Sequence, residues 1–432
     1  MSGHSSKMKG IRQSLGPSLL WAGAAIGVSH LVQSTRAGAD YHYFLIWAVV
    51  LAFVFKYPFF EAGPRYAAAT GESLLVGYKR LGNWTLGVFI AITITTMFTV
   101  VAAVTLVTAG IVGYMFKSLG ELSLGIWSGI LLAVCMVVLI IGRYSYLDKL
   151  IKGIIVVLAL STVIAVIAAM VHGGVAQPHL ASVREGGVIG AGNFVPAITF
   201  IVVLVGWMPS PIDLSVWNSI WTLEKKEETG HAPKVKEALI DFNIAYFITA
   251  FLAICFLTLG AIVMYGTGEE FSKGGVAFAG QFIHLYTTTL GTWSYPIIAL
   301  AALATMFSTT LTCTDGYSRV LRLTTELVFP SRAVGRGGGS RVYIFWMVVV
   351  VGGGLVLIYA FLNKQMAFMV DLATTISFLT APVLGYLNYR LVTSRHMPEH
   401  AMPSIWLRAL GILGIAFLTA FSVLFIYSKL YL

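Results

Sequence analysis

The sequence predicts an all-α membrane protein of eleven transmembrane helices, two of which are interrupted near their middles. Its 432 residues are 58% hydrophobic and only 11% charged, with a mean hydropathy of +0.85. A soluble protein would carry roughly a quarter of charged residues. Apolar runs that can cross a hydrocarbon core of ~30 Å recur along nearly the whole chain. Glycines, prolines and short polar residues interrupt the first and the sixth of these runs.

The apolar runs are numbered span 1 to span 11 in chain order, within a single transmembrane domain that covers 1–432. Their bounds follow from hydropathy and from flanking charges. They lie at about 17–37, 43–69, 85–115, 122–142, 148–172, 192–222, 238–265, 291–325, 341–362, 367–393 and 404–430.

The lysines and arginines give the expected orientation in the membrane. With the N-terminus in the cytoplasm, 21 of the 28 flank the inner ends of spans, six lie outside, and Lys56 lies within span 2. Cytoplasmic loops carry an excess of Lys and Arg in membrane proteins. We therefore expect an integral protein of a prokaryotic inner membrane, with its N-terminus inside and its C-terminus outside.

The net charge of +10 has the same origin. The basic residues are spread over inner loops, where they face anionic lipid head groups, so no nucleic-acid partner is expected. No nucleotide-binding or hydrolase motif occurs in a suitable context, so neither an enzyme nor a cofactor is predicted. Cys135, Cys255 and Cys313 lie in apolar segments and are interpreted as buried thiols.

Span 1 contains "AAIGVSHLVQS" (residues 24–34), which is unusual at the middle of a helix in lipid. Gly27, Ser29 and His30 suit a local unwinding, and Gln33 follows one turn later. Non-helical backbone at membrane depth survives only where it lines a cavity or is buried in protein. The stretch therefore predicts either a binding site or a kink packed against other helices.

Span 6 contains a second stretch of this kind, "VGWMPSPIDL" (residues 205–214). Pro209 and Pro211 cannot donate backbone hydrogen bonds, and their rings clash with the preceding turn. The segment Ser210–Asp213 is typical of a new helix start, with Ser at the N-cap and Pro at the first helical position.

Two interrupted spans that are five apart are typical of transporters built as two inverted five-helix repeats. The repeats would cover about 17–172 and 192–393, with an extra helix at about 404–430. Such proteins hold a small substrate at the midplane, between the breaks. The predicted binding residues are Gly27, Val28, Ser29, His30, Gln33, Gly206, Met208, Pro209 and Ser210.

Several motifs then resemble the natural resistance-associated macrophage protein (NRAMP) family of metal-ion transporters. They are "GPSLL" and "AIGVSHLVQSTRAGA" in span 1, "AAATGESL" (67–74), "WMPS" (207–210) and "FSTTLTCTDGYS" (307–318). The resemblance covers almost the whole chain. It implies a LeuT-type fold, with helices 1 and 6 broken at the midplane.

The departures from that family concern its metal and proton chemistry. The family's Asp-Pro-Gly-Asn signature falls on Gly27–His30, so a glycine stands where the family has its coordinating Asp. Its Met-Pro-His signature falls on Met208–Ser210, so the Met is retained and the His is lost. Span 3 has no carboxylate, although the family carries acidic residues there. The chain thus resembles a divergent member without the usual metal-binding and proton-relay residues, and no metal site is predicted.

These departures leave two hypotheses for the substrate. Without carboxylates, the open N–H groups near Ser29 and Ser210, together with His30, suit a small anion, and bicarbonate is the first candidate. The alternative is a divalent cation carrier of low selectivity, for Mg²⁺ or Mn²⁺, which requires Asp213 or Asp315 to reach the cavity. His30 and Met208 also have plain packing roles to consider.

A coupling-ion site is a separate hypothesis. Thr309, Thr310 and Asp315 lie in hydroxyl-rich span 8, where related folds hold Na⁺, and H⁺ is the other coupling ion considered. The competing interpretation is hydrogen bonding between helices. Asp371 is a further ionisable residue within a span. The oligomeric state stays open, with a monomer acceptable, and a receptor or an intramembrane enzyme is disfavoured because no soluble module or catalytic pair is evident.

Overall fold

The computed structural model describes residues 16–119, 122–141, 144–171, 194–268, 271–330, 338–361 and 365–431. These residues form helices and connecting turns, and no strand occurs among them. The basic residues Lys7, Lys9, Arg12, Arg143, Arg184, Arg332, Arg336 and Lys364, which entered the orientation argument, lie outside the described residues. The orientation of the termini stays a prediction.

Fifteen α-helices and one π-helix follow one another along the described chain. They are α1 (Pro17–Ala25), the π-helix (Ser29–Ser34), α2 (Thr35–Tyr41), α3 (Ile46–Thr70), α4 (Leu74–Leu81), α5 (Asn83–Met115), α6 (Leu124–Ile141), α7 (Tyr144–Val171), α8 (Phe194–Trp207), α9 (Leu214–Thr229), α10 (Val235–Val263), α11 (Gly275–Leu290), α12 (Tyr295–Val328), α13 (Gly338–Ala360), α14 (Met366–Val392) and α15 (Ile405–Tyr431). Short 3₁₀-helices lie at Lys117–Leu119, Thr292–Ser294 and Glu399–Ala401.

The helices agree with the predicted spans to within four residues, except that α9 continues for seven residues beyond the predicted end of span 6. Eight of them are long and apolar enough to cross a membrane, and they correspond to spans 2, 3, 4 and 7 to 11. The described part of span 5 and the first half of span 6 supply shorter apolar helices. Spans 1 and 6 are each divided, as predicted. The all-α class is confirmed, whereas the count of eleven and the two repeats remain predictions.

Two helices, α4 and α11, have no counterpart among the predicted spans. The eight residues of α4 and the 16 residues of α11 are too short for a search based on membrane thickness. Helix α4 joins spans 2 and 3 and ends at Leu81, and the next residue, Gly82, has a φ of +146° that favours glycine. Helix α11 lies between spans 7 and 8 and packs on α5.

Close backbone contacts hold the second half of span 1 in place. A Cβ on Gly38 of α2 would lie 1.9 Å from the Leu257 carbonyl oxygen, and one on Gly260 of α10 would lie 2.2 Å from that of Thr35. Small residues allow helices to approach this closely in membranes. The π-helix and α2 therefore have a fixed position against span 7. Cys135, Cys255 and Cys313 are buried free thiols, as predicted.

Candidate functional site

The break in span 1 begins where α1 ends at Ala25. Ile26 leaves the helical region with ψ of 78°, and the chain continues as the π-helix from Ser29. A Cβ on Gly27 would lie 2.5 Å from Oγ1 of Thr309 and 2.8 Å from its Cγ2. Glycine is therefore required here by the close approach of span 8. π-Helical turns within helices are frequent at functional sites.

The break in span 6 extends from Met208 to Asp213, between α8 and α9. The Met208–Pro209 peptide is cis. The predicted helix start at Ser210 is wrong by a few residues: α9 begins at Leu214, after a tight turn in which the Leu214 N–H donates to the Pro211 carbonyl at 3.2 Å. The Ser210 hydroxyl does not cap the helix. It lies 3.3 Å from the Pro211 carbonyl oxygen.

A small cavity of about 20 Å³ lies between the two breaks, span 3 and span 8. A volume of this size holds about one water molecule. Its polar wall consists of the hydroxyls of Ser29, Ser210 and Thr309 and the thiol of Cys313, and the rest is apolar. A hydrated ion does not fit this cavity, so loading requires the helices to move apart.

Among the predicted binding residues, Val28, Ser29 and Ser210 line this cavity. Gly206 instead lets α8 approach span 10, because a Cβ there would lie 2.4 Å from the Thr374 carbonyl oxygen. Met208 is fully buried in the hydrophobic core. The residues that the structure does not bring to the cavity wall are Gly27, His30, Gln33, Gly206, Met208 and Pro209.

His30 is fully buried and bonded to backbone. Its Nδ1 lies 3.1 Å from the Ala25 carbonyl oxygen and 2.7 Å from the Ser29 hydroxyl, and its Nε2 lies 3.0 Å from the Thr249 carbonyl oxygen in span 7. The ring therefore ties the break in span 1 to α10. Gln33 is also fully buried, and its amide interacts with the Asp371 carboxylate of span 10.

Lys56 is a site residue that the sequence analysis did not identify. Its side chain is fully buried in span 2. The ammonium donates to the carbonyl oxygens of Val205 at 2.6 Å, Gly206 at 3.0 Å and Ser210 at 3.4 Å. These oxygens are freed by the break in span 6. The available signal was that Lys56 alone among the lysines and arginines fell at the middle of a predicted span, not near an end.

Four side chains at the two breaks, those of Ser29, His30, Lys56 and Thr309, share one feature: each has a polar atom within hydrogen-bond distance of a backbone carbonyl oxygen. The Ser29 hydroxyl donates to Ala25 at 2.7 Å, and the Thr309 hydroxyl donates to Gly23 at 3.1 Å. Together with the contacts of His30 and Lys56, these bonds satisfy the carbonyl groups that unwinding exposes. The backbone groups at the site therefore form a cluster of acceptor oxygens, which these side-chain donors occupy in the described structure.

Asp213 is the carboxylate nearest to this cluster in sequence. It is 4% exposed, and its Oδ2 accepts a hydrogen bond from the Tyr317 hydroxyl at 3.2 Å. Its Oδ1 has no hydrogen-bond partner among the residues that the structure describes. The backbone N–H groups of Asp213 and Leu214 also act on this carboxylate. Asp213 therefore offers one buried anionic oxygen without a standard hydrogen bond, and in the chain it lies between the cavity-lining residues Pro211 and Leu214.

The other carboxylates are committed to ion pairs. Asp315 is fully buried in α12 and accepts from Arg319 Nε at 2.7 Å and from the Tyr343 hydroxyl at 2.7 Å. Asp371, near the start of α14, pairs with Arg36 at 3.4 Å. Like Asp213, neither of them lines the cavity.

The predicted coupling-ion residues are not brought together. The Thr310 hydroxyl donates to the Met306 carbonyl at 2.9 Å and lies 2.8 Å from the Thr108 hydroxyl of span 3. Thr309 contacts the span 1 break, whereas Asp315 contacts Arg319. This geometry agrees with the competing interpretation, in which the hydroxyls link helices.

Comparison with known proteins gives the family. A model of the natural resistance-associated macrophage protein-like family matches residues 18–428. The chain belongs to this family. An uncharacterized protein of Pasteurella multocida (strain Pm70) is 35% identical over 415 residues, which cover 95% of this chain and 91% of that protein. The protein is thus a membrane transporter of the NRAMP-like family.

Solved structures give the fold. The Eremococcus coleocola manganese transporter, in complex with an aromatic bis-isothiourea substituted compound, has a TM-score of 0.68 at 15% identity, with 99% of this chain and 88% of that chain covered. The nucleobase-cation-symport-1 family transporter Mhp1, closed with bromovinylhydantoin bound, has a TM-score of 0.58 at 16% identity, covering 96% and 93%. MhsT with L-phenylalanine has a TM-score of 0.57 at 14% identity, covering 95% and 98%. The predicted LeuT-type fold is confirmed.

Proposed function

We propose that this protein transports a divalent metal cation of the Mg²⁺ or Mn²⁺ class with low selectivity, by alternating access at the breaks of spans 1 and 6. The observation that carries the proposal is the cluster of carbonyl oxygens at these breaks. Oxygen acceptors of this kind coordinate hard cations. Unwound carbonyl groups at broken helices hold cations in other transporters.

Asp213 supplies the charge that the cluster needs. A divalent ion moved into a dry site must be compensated by an anionic ligand. The unpartnered Oδ1 of Asp213 is the buried anionic oxygen that fits this role. In the described structure neither carboxylate lines the cavity: Asp213 lies next to it in the chain, between the lining residues Pro211 and Leu214, whereas Asp315 is engaged with Arg319. The proposal therefore requires the Asp213 carboxylate to turn toward the cavity when the ion is loaded.

Low selectivity follows from the small number of protein ligands. No group of three or more His, Cys, Asp or Glu side chains suited to a metal occurs in the described residues. The ion would therefore retain part of its water shell, as Mg²⁺ commonly does in protein sites. The soft sulfur groups near the breaks are the Cys313 thiol, which lines the cavity, and the Met208 thioether, which is buried in the core beside it. The resemblance in fold to a manganese transporter is consistent with this cargo.

The bicarbonate hypothesis finds no support. It needed donors that could be turned toward an anion, but Ser29, His30 and Lys56 are all engaged with carbonyl oxygens. Family membership also favours a metal ion. Of the two coupling ions considered, membership in this family favours H⁺. Coupling to Na⁺ finds no support, because the side chains of Thr309, Thr310 and Asp315 contact different partners and do not form one site.

The test is ion flux into sealed liposomes that contain the purified protein and a trapped dye for divalent ions. The unmodified protein should admit Mn²⁺ and Mg²⁺, and Asp213→Asn should reduce the initial rate by at least about tenfold if the carboxylate is a ligand. Glu228→Gln, which removes a carboxylate at the inner surface, is the matched control and should leave flux unchanged. A bicarbonate-dependent pH change inside the vesicles without metal entry would overturn the proposal.

A further inference from the structure

The Lys56 ammonium is held as a bound cation would be held. It has three N–H donors, and three carbonyl oxygens lie within hydrogen-bond distance, at 2.6, 3.0 and 3.4 Å. Two of these oxygens end α8 and the third belongs to the break itself. The negative end of the α8 dipole points at the same position and favours a cation there.

The surroundings of Lys56 contain no stronger partner. Asp213 interacts with it electrostatically, yet no salt bridge within 4.0 Å joins the two in the described structure. Other helices packed on α3 bring neutral groups, or charged groups that are already paired. The hydroxyl of Tyr246 donates to Phe53, that of Tyr78 donates to Asn388, and Glu61 pairs with Arg65.

We propose that the Lys56 ammonium is a tethered cation that occupies the backbone-oxygen site at the span 6 break, and that the transported cation must displace it. The inference rests on the proposed function for the identity of that competing cation. In the substrate-free protein Lys56 satisfies the freed carbonyl groups and balances the charge of Asp213. On loading, the metal ion takes over both roles, and Lys56 withdraws along span 2.

In this arrangement Lys56 sets the affinity of the site for the transported metal ion. A hydrogen bond that involves a charged group contributes about 1.5–3 kcal/mol net, which is about tenfold or more in an equilibrium constant. Displacement of Lys56 therefore weakens metal binding by at least this factor. A weak site suits a carrier, because a tightly held ion would not be released on the far side.

The first test measures occupancy of the oxygen site without any metal. Lys56→Ala removes the ammonium and leaves the carbonyl oxygens without a donor, so its melting temperature should fall. Addition of n-butylammonium should restore part of that loss, whereas tetramethylammonium, which has no N–H donor, should not. Lys79→Ala is the matched control, because Lys79 also donates to a backbone carbonyl, that of Leu327, but outside the site. Equal responses of both variants to n-butylammonium would overturn the proposal.

The second test measures metal affinity by flux. Lys56→Met keeps the length of the side chain and removes the charge, so the apparent affinity for Mn²⁺ should rise about tenfold or more. Lys56→Arg keeps the charge and should keep the low affinity. Unchanged or weakened affinity in Lys56→Met would contradict displacement. If the unmodified protein admits no metal ion, the proposed function is contradicted but the Lys56 site is not. The recovery of the Lys56→Ala melting temperature by n-butylammonium does not depend on transport.

Discussion

The contact between Gly27 and Thr309 offers a sharp test of how the two breaks are packed. Gly27→Ala places a methyl group 2.5 Å from Thr309 Oγ1, 2.8 Å from its Cγ2 and 3.0 Å from its Cβ. Thr309 cannot turn away freely, because its hydroxyl also donates to Gly23 at 3.1 Å and to Thr305 at 3.1 Å. The substitution should therefore destabilise the folded protein.

The expected magnitude follows from the cost of inserting one carbon into a packed core, about 1–3 kcal/mol. Thr309→Ala alone loses a hydroxyl that bonds to backbone and should cost about 1 kcal/mol. In the double variant the two nearest atoms are gone and only the Cβ contact at 3.0 Å remains. The double variant should therefore be more stable than the sum of the single losses predicts, by about 1–2 kcal/mol.

The assay is thermal unfolding of the detergent-purified variants as a double-mutant cycle. Gly129→Ala is the matched control, because a Cβ at Gly129 meets no atom within 4 Å, and it should be neutral or slightly stabilising. Additive losses in the cycle would refute the direct contact between span 1 and span 8. So would a stable Gly27→Ala protein.

Two further predictions concern the buried carboxylates Asp315 and Asp241. Asp315→Asn should destabilise the protein by up to about 3 kcal/mol, because it leaves Arg319 with Glu224 as its one carboxylate partner. Glu326→Gln, which removes a partly exposed partner of Arg322, should cost under about 1 kcal/mol. Thermal unfolding of both variants checks this, and equal losses of stability would contradict the role of Asp315. Asp241→Ala removes the acceptor of two backbone N–H groups at the start of α1, so a cysteine introduced at the buried Ser18 should react faster with maleimide, and an unchanged rate would show that α1 does not depend on this contact.

Local patterns predicted the elements of this fold, because hydropathy and helix breakers act over short stretches of chain. The divisions of spans 1 and 6 follow from Gly27 and from the prolines at 209 and 211. The predicted start of α9 was wrong because Ser210 is a residue type that favours the N-cap, whereas its hydroxyl lies near the Pro211 carbonyl oxygen. The residue type alone does not decide whether the hydroxyl bonds to a helix N–H group or to this carbonyl.

The partners of the polar side chains depended on tertiary contacts far apart in sequence. Lys56 donates to Val205, 149 positions away, and His30 bonds to Thr249, 219 positions away. From sequence His30 could face a ligand or pack against a helix, and the structure favours packing. Asp315 likewise had two candidate roles until Arg319 was found beside it.

Binding of Mn²⁺ to the purified protein, followed by electron paramagnetic resonance, shows directly whether the two helix breaks hold a cation. We expect one weakly bound Mn²⁺ per chain that retains coordinated water, is displaced by Mg²⁺, and is lost in Asp213→Asn. Absence of bound Mn²⁺ at concentrations that saturate transport, or binding that survives Asp213→Asn unchanged, would contradict a cation site at the two helix breaks.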